Sequence, residues 1–212
     1  MPIPLLYGLW KKRRGTMSRK TTINRETKET QIQLCMNLDG KGEVQANTGI
    51  GFLDHMLSSF GKHGFFDLDV KVTGDLFVDG HHTVEDTGIV LGQAVKEAVG
   101  DKKGIKRYGH CILPMDDALI LCAVDLCGRP YLSFEASILA KEVGGLSTEL
   151  VEEFFYAVSY KAGMNLHIKM LSGKNSHHII EGMFKAFGKA LDQAVSKEPR
   201  LLDVLSTKGS FD

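Results

Sequence analysis

Net charge is the first thing this chain lacks. Lys plus Arg number 26 and Asp plus Glu number 26, so bulk electrostatics gives no reason to expect a nucleic acid or an anionic membrane as partner. Cysteine is scarce: Cys35, Cys111, Cys122 and Cys127 are the four among 212 residues, and no two form a C-x-x-C pair, which excludes a disulfide scaffold. Three of them fall in apolar runs and read as small buried residues of a reducing, cytoplasmic compartment. The apolar stretch Pro2 to Trp10 is too short to span a bilayer. It precedes the basic Lys11-Lys12-Arg13-Arg14, the reverse of a secretory signal, so residues 1–18 read as a flexible extension with Met17 a candidate start. With 43% hydrophobic and 25% charged residues the composition is that of an ordinary globular protein, and function has to come from local sites.

What is present is a motif used twice. Asp79-Gly80-His81-His82-Thr83-Val84-Glu85-Asp86 returns as Asn175-Ser176-His177-His178-Ile179-Ile180-Glu181. On a helix begun at the histidines, the glutamate lies four residues after the first histidine and returns to its side. Adjacent histidines diverge by roughly 100°, so each pair suits two metal ions better than one.

The elements around the two copies also repeat. Thr21 to Ile23 and Thr30 to Leu38 alternate as strands. The Asp39-Gly40 turn then predicts a hairpin returning along Gly42 to Ala46. Phe52 to Phe60 has helical spacing and ends at Gly61 and Gly64, Phe66 to Val72 alternates as a strand, and a helix runs from the first His-His pair towards Gly100. After a basic connector, strands are predicted at 111–113, 118–124 and 131–134, a helix from Leu150 to Tyr160, a strand from Asn165 to Met170 and a final long helix. The chain is thus a duplication, with half-repeats at 19–104 and 105–212, the second carrying a C-terminal tail.

Overlaying the halves places Glu153 on His55. Eight candidate ligands follow: His55, His81, His82, Glu85, Glu153, His177, His178 and Glu181. Shared between two ions they give four groups each, which leaves open positions on a six-coordinate ion. Imidazole and carboxylate without thiolate favour manganese, iron, cobalt or nickel over structural zinc. His63 and His167 read as structural.

Over about Lys20 to Gly209 the sequence closely resembles the imidazoleglycerol-phosphate dehydratase family. The matching residues are Arg25 to Thr30, Gly51 to Met56, Asp79 to Asp86, Asp116-Asp117-Ala118, Gly128-Arg129-Pro130, Asn175 to Glu181, Phe184-Lys185-Ala186 and Ser206-Thr207-Lys208-Gly209. The resemblance implies an α+β fold of the ribosomal protein S5 domain 2-like type: two ββ(β)αβα halves, each a four-stranded sheet with two helices on one face, the helices between the sheets. A left-handed crossover in each half is part of that implication, against the usual rule. So is a cytoplasmic 24-subunit shell, assembled from trimers, with two Mn2+ per active site held between subunits.

The implied reaction removes water from imidazole glycerol phosphate to give imidazole acetol phosphate in histidine biosynthesis. The hydrogen to be lost sits on a carbon with no neighbouring carbonyl. Held by two metals as imidazolate, the substrate's own ring expels the adjacent hydroxyl through a diazafulvene-like intermediate and acidifies that proton. The resemblance assigns proton handling to Glu29, with metal-bound water as competitor, and phosphate binding to Arg107, Arg129, Lys185, Ser206, Thr207 and Lys208. Read singly, Arg107 and Lys208 are also ordinary surface charges, and Lys185 an ordinary helix partner of Glu181. Two departures stand out: Glu153 where many members carry a histidine ligand, and Ser59 where many carry a glutamine near the substrate. The duplicated motif alone would also suit a dinuclear phosphohydrolase or a metal-storing shell.

Overall fold

The structure is a computed structural model and describes residues 19–209, so the extension expected at 1–18 lies outside the described residues. In chain order the elements are β1 (Lys20–Glu26), β2 (Thr30–Asn37), β3 (Val44–Asn47), α1 (Gly51–Gly64), β4 (Asp67–Gly74), α2 (His81–Val99), β5 (Tyr108–Met115), β6 (Ala118–Asp125), β7 (Tyr131–Glu135), β8 (Glu142–Val143), β9 (Leu146–Ser147), α3 (Leu150–Ala162), β10 (Asn165–Ser172) and α4 (Ser176–Val195). Strand alternation decides which face is covered: Ile32, Leu34 and Met36 of β2 point into the core while Gln31 and Gln33 face outward.

Two four-stranded sheets result, in the orders β1-β2-β4-β3 and β5-β6-β10-β7. In each, the first three strands are antiparallel and the last lies parallel to its neighbour. Helices α1 and α2 lie on the first sheet, α3 and α4 on the second, and the pairs meet as α2 on α3 and α1 on α4. The helices therefore form a layer between the sheets, as the α+β duplication requires. Its centre is aromatic, with Phe60 and Phe187 stacked at 5.0 Å and Phe154 and Phe184 tilted at 5.0 Å between ring centroids.

The duplication is visible atom by atom. A Cβ added to Gly188 would lie 2.5 Å from the Phe60 carbonyl oxygen and 3.1 Å from the Gly64 nitrogen; one on Gly92 would lie 2.5 Å from the Val158 oxygen and 3.1 Å from the Ala162 nitrogen. The same two contacts join α4 to α1 and α2 to α3. The shift that carries Phe60 to Val158 also carries His55 to Glu153.

Several expectations needed correction. Asp39-Gly40 does not close a hairpin: β2 is already flanked by β1 and β4, and β3 pairs parallel to β4 at the edge. Helix α1 runs through Gly61, where a Cβ would lie 2.5 Å from Val44, so that glycine permits a close approach and is no stop signal. Helix α3 continues to Ala162, and the small hairpin β8–β9 was not expected. All four cysteines are free thiols, but only Cys122 and Cys127 are buried; Cys35 and Cys111 are half-exposed at the sheets. No described helix is long and apolar enough to cross a membrane.

Replacing Gly92 or Gly188 by Ala should destabilise the protein, because a backbone clash costing about 1 to 3 kcal/mol outweighs the roughly 1 kcal/mol that Ala gains in a helix. Gly51→Ala, with nothing within 4 Å of the added carbon, should be neutral or stabilising. Urea unfolding midpoints of the three variants check the ordering. A Gly92→Ala protein as stable as the parent would show that the helices do not approach this closely.

Candidate metal centre

Both His-His pairs open a helix, and each start is fixed by a side-chain oxygen. Asp79 Oδ1 accepts the His81 N–H at 2.8 Å; Asn175 Oδ1 accepts those of His177 and His178 at 2.9 and 3.3 Å. Within each pair the rings are 6.1 Å apart and crossed at 85° for His81 and His82 and 80° for His177 and His178. The two histidines of a pair therefore face different surroundings.

The first histidine of the second pair, His177, turns towards the neighbouring helix. Helices α1 and α4 run side by side from the same end, so His177 and Glu181 meet His55. Their donor atoms lie within 4.8 Å of one another, and among the described residues this is the one group of three histidine, cysteine or carboxylate side chains that does so. His55 Nε2 is 3.5 Å from Glu181 Oε1 and His177 Nε2 is 3.3 Å from Glu181 Oε2. Such spacings suit donors about 2.1 Å from a shared ion, and two imidazoles with a carboxylate suit a divalent transition metal.

Glu181 is buried, and Lys185 one turn later bonds its Oε1 at 2.9 Å. Burial pushes the Glu181 carboxyl up, but the Lys185 bond, then the charges of Lys185, His55 and His177, outweigh it and hold the group below its ordinary range. Ser59 Oγ lies 3.5 Å from the same oxygen, at the foot of the group.

The α2–α3 counterpart is looser. His81 Nε2 is 3.7 Å from Glu85 Oε2, and Glu153 is exposed on α3 without joining them.

The second of each pair is held by carboxylates. His82 Nδ1 lies 2.9 Å from Asp75 Oδ2 and its Nε2 3.8 Å from Glu29 Oε1. His178 Nδ1 lies 2.7 Å from Asp117 Oδ1 and its Nε2 3.4 Å from Asp116 Oδ2. Asp117 Oδ2 also accepts the N–H groups of Lys174 and Asn175 at 2.6 and 3.0 Å. The Asn175 bond first, then His178 and Lys174, hold the Asp117 carboxyl far below its usual range. The Asp75 bond, followed by the charges of Asp75, Glu29 and Asp79, raises the His82 pKa against some desolvation.

The expected phosphate groups lie elsewhere, apart from Lys185. The Arg107 guanidinium bonds Asp125 at 2.7 and 3.0 Å and the Leu205 carbonyl at 2.7 Å, so it ties down the tail that carries Ser206, Thr207 and Lys208. Its backbone N–H bonds Ala194 O, near the far end of α4 from His177, about 25 Å away along the helix. Arg129 is exposed beside Gly128, which bonds Gly163 at the end of α3. Among the other histidines, His63 Nδ1 sits 2.9 Å from Ser59 O and His167 lies against Tyr131, both outside the group.

Sequence reasoning gave no role to Asp75, Arg25 or Asp86. Asp86 is buried, accepts Arg25 Nη2 at 2.8 Å, and also accepts the Thr30 hydroxyl, which ties α2 to the β1–β2 turn carrying Glu29. Arg25, Thr30 and Asp86 lie within the matching motifs but carry no separate signal there, and Asp75 lies in a connection without periodicity.

The family model of imidazoleglycerol-phosphate dehydratase matches residues 48–191. A relative of that name from Lachnoclostridium phytofermentans is 62% identical over 196 residues, covering 92% of this chain and 100% of its own length. Another from Acetivibrio thermocellus is 59% identical, covering 91% and 99%. The crystal structure of imidazoleglycerol-phosphate dehydratase from Staphylococcus aureus superposes with a TM-score of 0.77 at 42% identity, covering 84% of this chain and 99% of that one. One from Pyrococcus furiosus gives 0.78 at 37%, covering 89% and 99%.

In the metal-free protein, Asp75→Asn should lower the His82 pKa, since the bond to Asp75 is the largest cause of its rise. The folded value lies above the ordinary 6.5, so this pair's stabilisation is fully present below about pH 6.5 and is lost as pH rises through the raised folded value. NMR titration of the histidine ring protons in parent and variant tests it. An unchanged His82 titration would show that Asp75 does not hold the ring in solution.

Proposed function

The chain belongs to the imidazoleglycerol-phosphate dehydratase family, a family of histidine biosynthesis, and from that premise we propose how its residues divide the work. The substrate is imidazole glycerol phosphate, the products imidazole acetol phosphate and water, and the setting the cytoplasm, which four free thiols suit. The observation that carries the reading is the meeting of His55, His177 and Glu181 on two helices packed side by side.

Two manganese ions per site are the proposed cofactor. His55, His177 and Glu181 would hold one, and His81, Glu85 and Glu153 would supply three groups to the other. His82 and His178, turned away from both groups, would complete the ions of a neighbouring copy. Bound there, the metals would hold the substrate's imidazole as imidazolate, so that the adjacent hydroxyl leaves through a diazafulvene-like intermediate.

The chain's own groups do the rest. Glu29, exposed beside His82, takes up and returns protons at the glycerol carbons. Lys185 offsets the Glu181 charge until a cation arrives and then faces the substrate. Arg107, Arg129, Ser206, Thr207 and Lys208 receive the phosphate.

The separation of about 25 Å between the tail anchor and the histidines of one chain supports a site shared between copies, because the substrate is much shorter than that. It supports self-assembly, for which a 24-subunit shell is the proposed form.

Incubation with imidazole glycerol phosphate and manganese should yield a ketone and no inorganic phosphate, and a chelator should abolish turnover until manganese is restored. Released phosphate would establish a phosphohydrolase instead; no turnover in a manganese-loaded assembly would leave a storage shell. Activity should also fall below about pH 6, where protons compete with metal for imidazole.

Glu153→Ala should weaken manganese binding, whereas Glu153→His should retain catalysis and shift preference towards zinc or nickel, because nitrogen replaces a hard oxygen. Metal content and turnover across a metal series decide this. Parent-like manganese affinity in Glu153→Ala would remove Glu153 from the ligand set.

A further inference from the structure

Resting on the metal-centre reading above, we propose that Asp75 and Asp117 are positioning residues that present Nε2 of the second histidine of each pair to metal. We propose further that Asp75 has relieved Glu29 of this duty, which leaves Glu29 free to carry protons.

The duplication shows what changed places. Glu29 and Asp117 occupy equivalent positions: each directly precedes the first residue of the second strand of its hairpin, Thr30 and Ala118. The hairpins close alike, Glu26 facing Gln31 and Pro114 facing Leu119. Gly74 and Gly173 are equivalent too, since a Cβ on the first would meet Thr83 and Thr30 and one on the second Ile179 and Ala118, the corresponding residues of the two halves. The residue after that glycine is Asp75 in the first half and Lys174 in the second.

A lysine has no acceptor for an imidazole N–H. In the second half the turn residue Asp117 therefore holds His178 Nδ1 at 2.7 Å, and its other oxygen accepts the Lys174 N–H. In the first half Asp75 holds His82 Nδ1 at 2.9 Å, while its backbone N–H bonds the Glu29 carbonyl at 3.1 Å. The Glu29 carboxylate is thereby released from the ring's Nδ1 and stands on the Nε2 side at 3.8 Å.

The chemistry favours this division. A carboxylate on Nδ1–H fixes the tautomer, leaves the lone pair on Nε2 and raises its basicity. A carboxylate bound to Nδ1 is committed and cannot also collect a proton from substrate. The turn that carries Glu29 is fixed without using its side chain: Asp86 accepts bonds from Arg25 and Thr30, and the Thr27 hydroxyl accepts the N–H groups of Glu29 and Thr30. The second half has Gly182 in place of Asp86 and lacks that brace.

The test uses the full chain with Asp75→Ala, Asp117→Ala, the corresponding Asn variants, Glu29→Gln, and Asp75→Ala combined with Glu29→Gln. Manganese affinity of the metal-free protein is measured by competition with a chelator, its unfolding midpoint in urea, and kcat and KM after reloading. Each Ala variant should lose about 10- to 100-fold in affinity at one of the two ions, with most of it recovered in the Asn variant, which keeps an acceptor oxygen. The double variant should have the same kcat as Asp75→Ala alone, because a Glu29 drawn towards the vacated Nδ1, where its bond is too poor to restore the lost affinity, is already lost to catalysis. Parent-like affinity in the Ala variants, or multiplying kcat losses in the double variant, overturns the inference while leaving the metal reading intact. A parent that takes up no manganese overturns that reading, and this inference with it.

Discussion

Consecutive side chains on a helix point roughly 100° apart, and the rest of the molecule follows from the fact that both histidine pairs sit on one. Two neighbours cannot reach the same ion. His177 and its glutamate lean onto the helix packed beside them, where His55 completes a group of three. His82 and His178 are turned elsewhere, and each needs a partner of its own, supplied by Asp75 and Asp117. One chain thus brings three of the candidate ligands together and leaves the others apart.

Most of this fold was legible because burial imposes period 2 on strands and roughly 3.6 on helices. Ile32, Leu34 and Met36 declare a covered strand face without reference to anything distant. What failed were features settled by a neighbour rather than by local pattern. Asp39-Gly40 has hairpin chemistry, but the edge it would have paired with is taken by β4. Gly61 resembles a helix stop and is instead a gap into which Val44 fits.

The candidate site divides in the same way. His55, His177 and Glu181 were legible because a repeated motif and an internal overlay converge on them, and the helix spacing then brings them together. Glu153 was legible as the counterpart of His55, yet its carboxylate does not join His81 and Glu85 within one chain. Asp75 was invisible, since it lies in a connection whose course no periodicity describes. The resemblance supplied Arg107 and Lys208 as phosphate residues without indicating that they belong at the opposite end of α4 from the histidines of their own chain. The halves are also unequal: Asp86 braces the turn of the first, where the second has Gly182.

If copies share their sites as proposed above, the distance between the tail anchor and the histidines has a genetic consequence. In an assembly whose sites are shared, a chain with a ruined tail still lends its histidines to a neighbour, and a chain with ruined histidines still lends its tail. Two alleles, each inactive alone, then complement one another within mixed particles. Each defective chain also spoils pockets it shares with sound ones, so damage at one end of the molecule is felt beyond the copy that carries it.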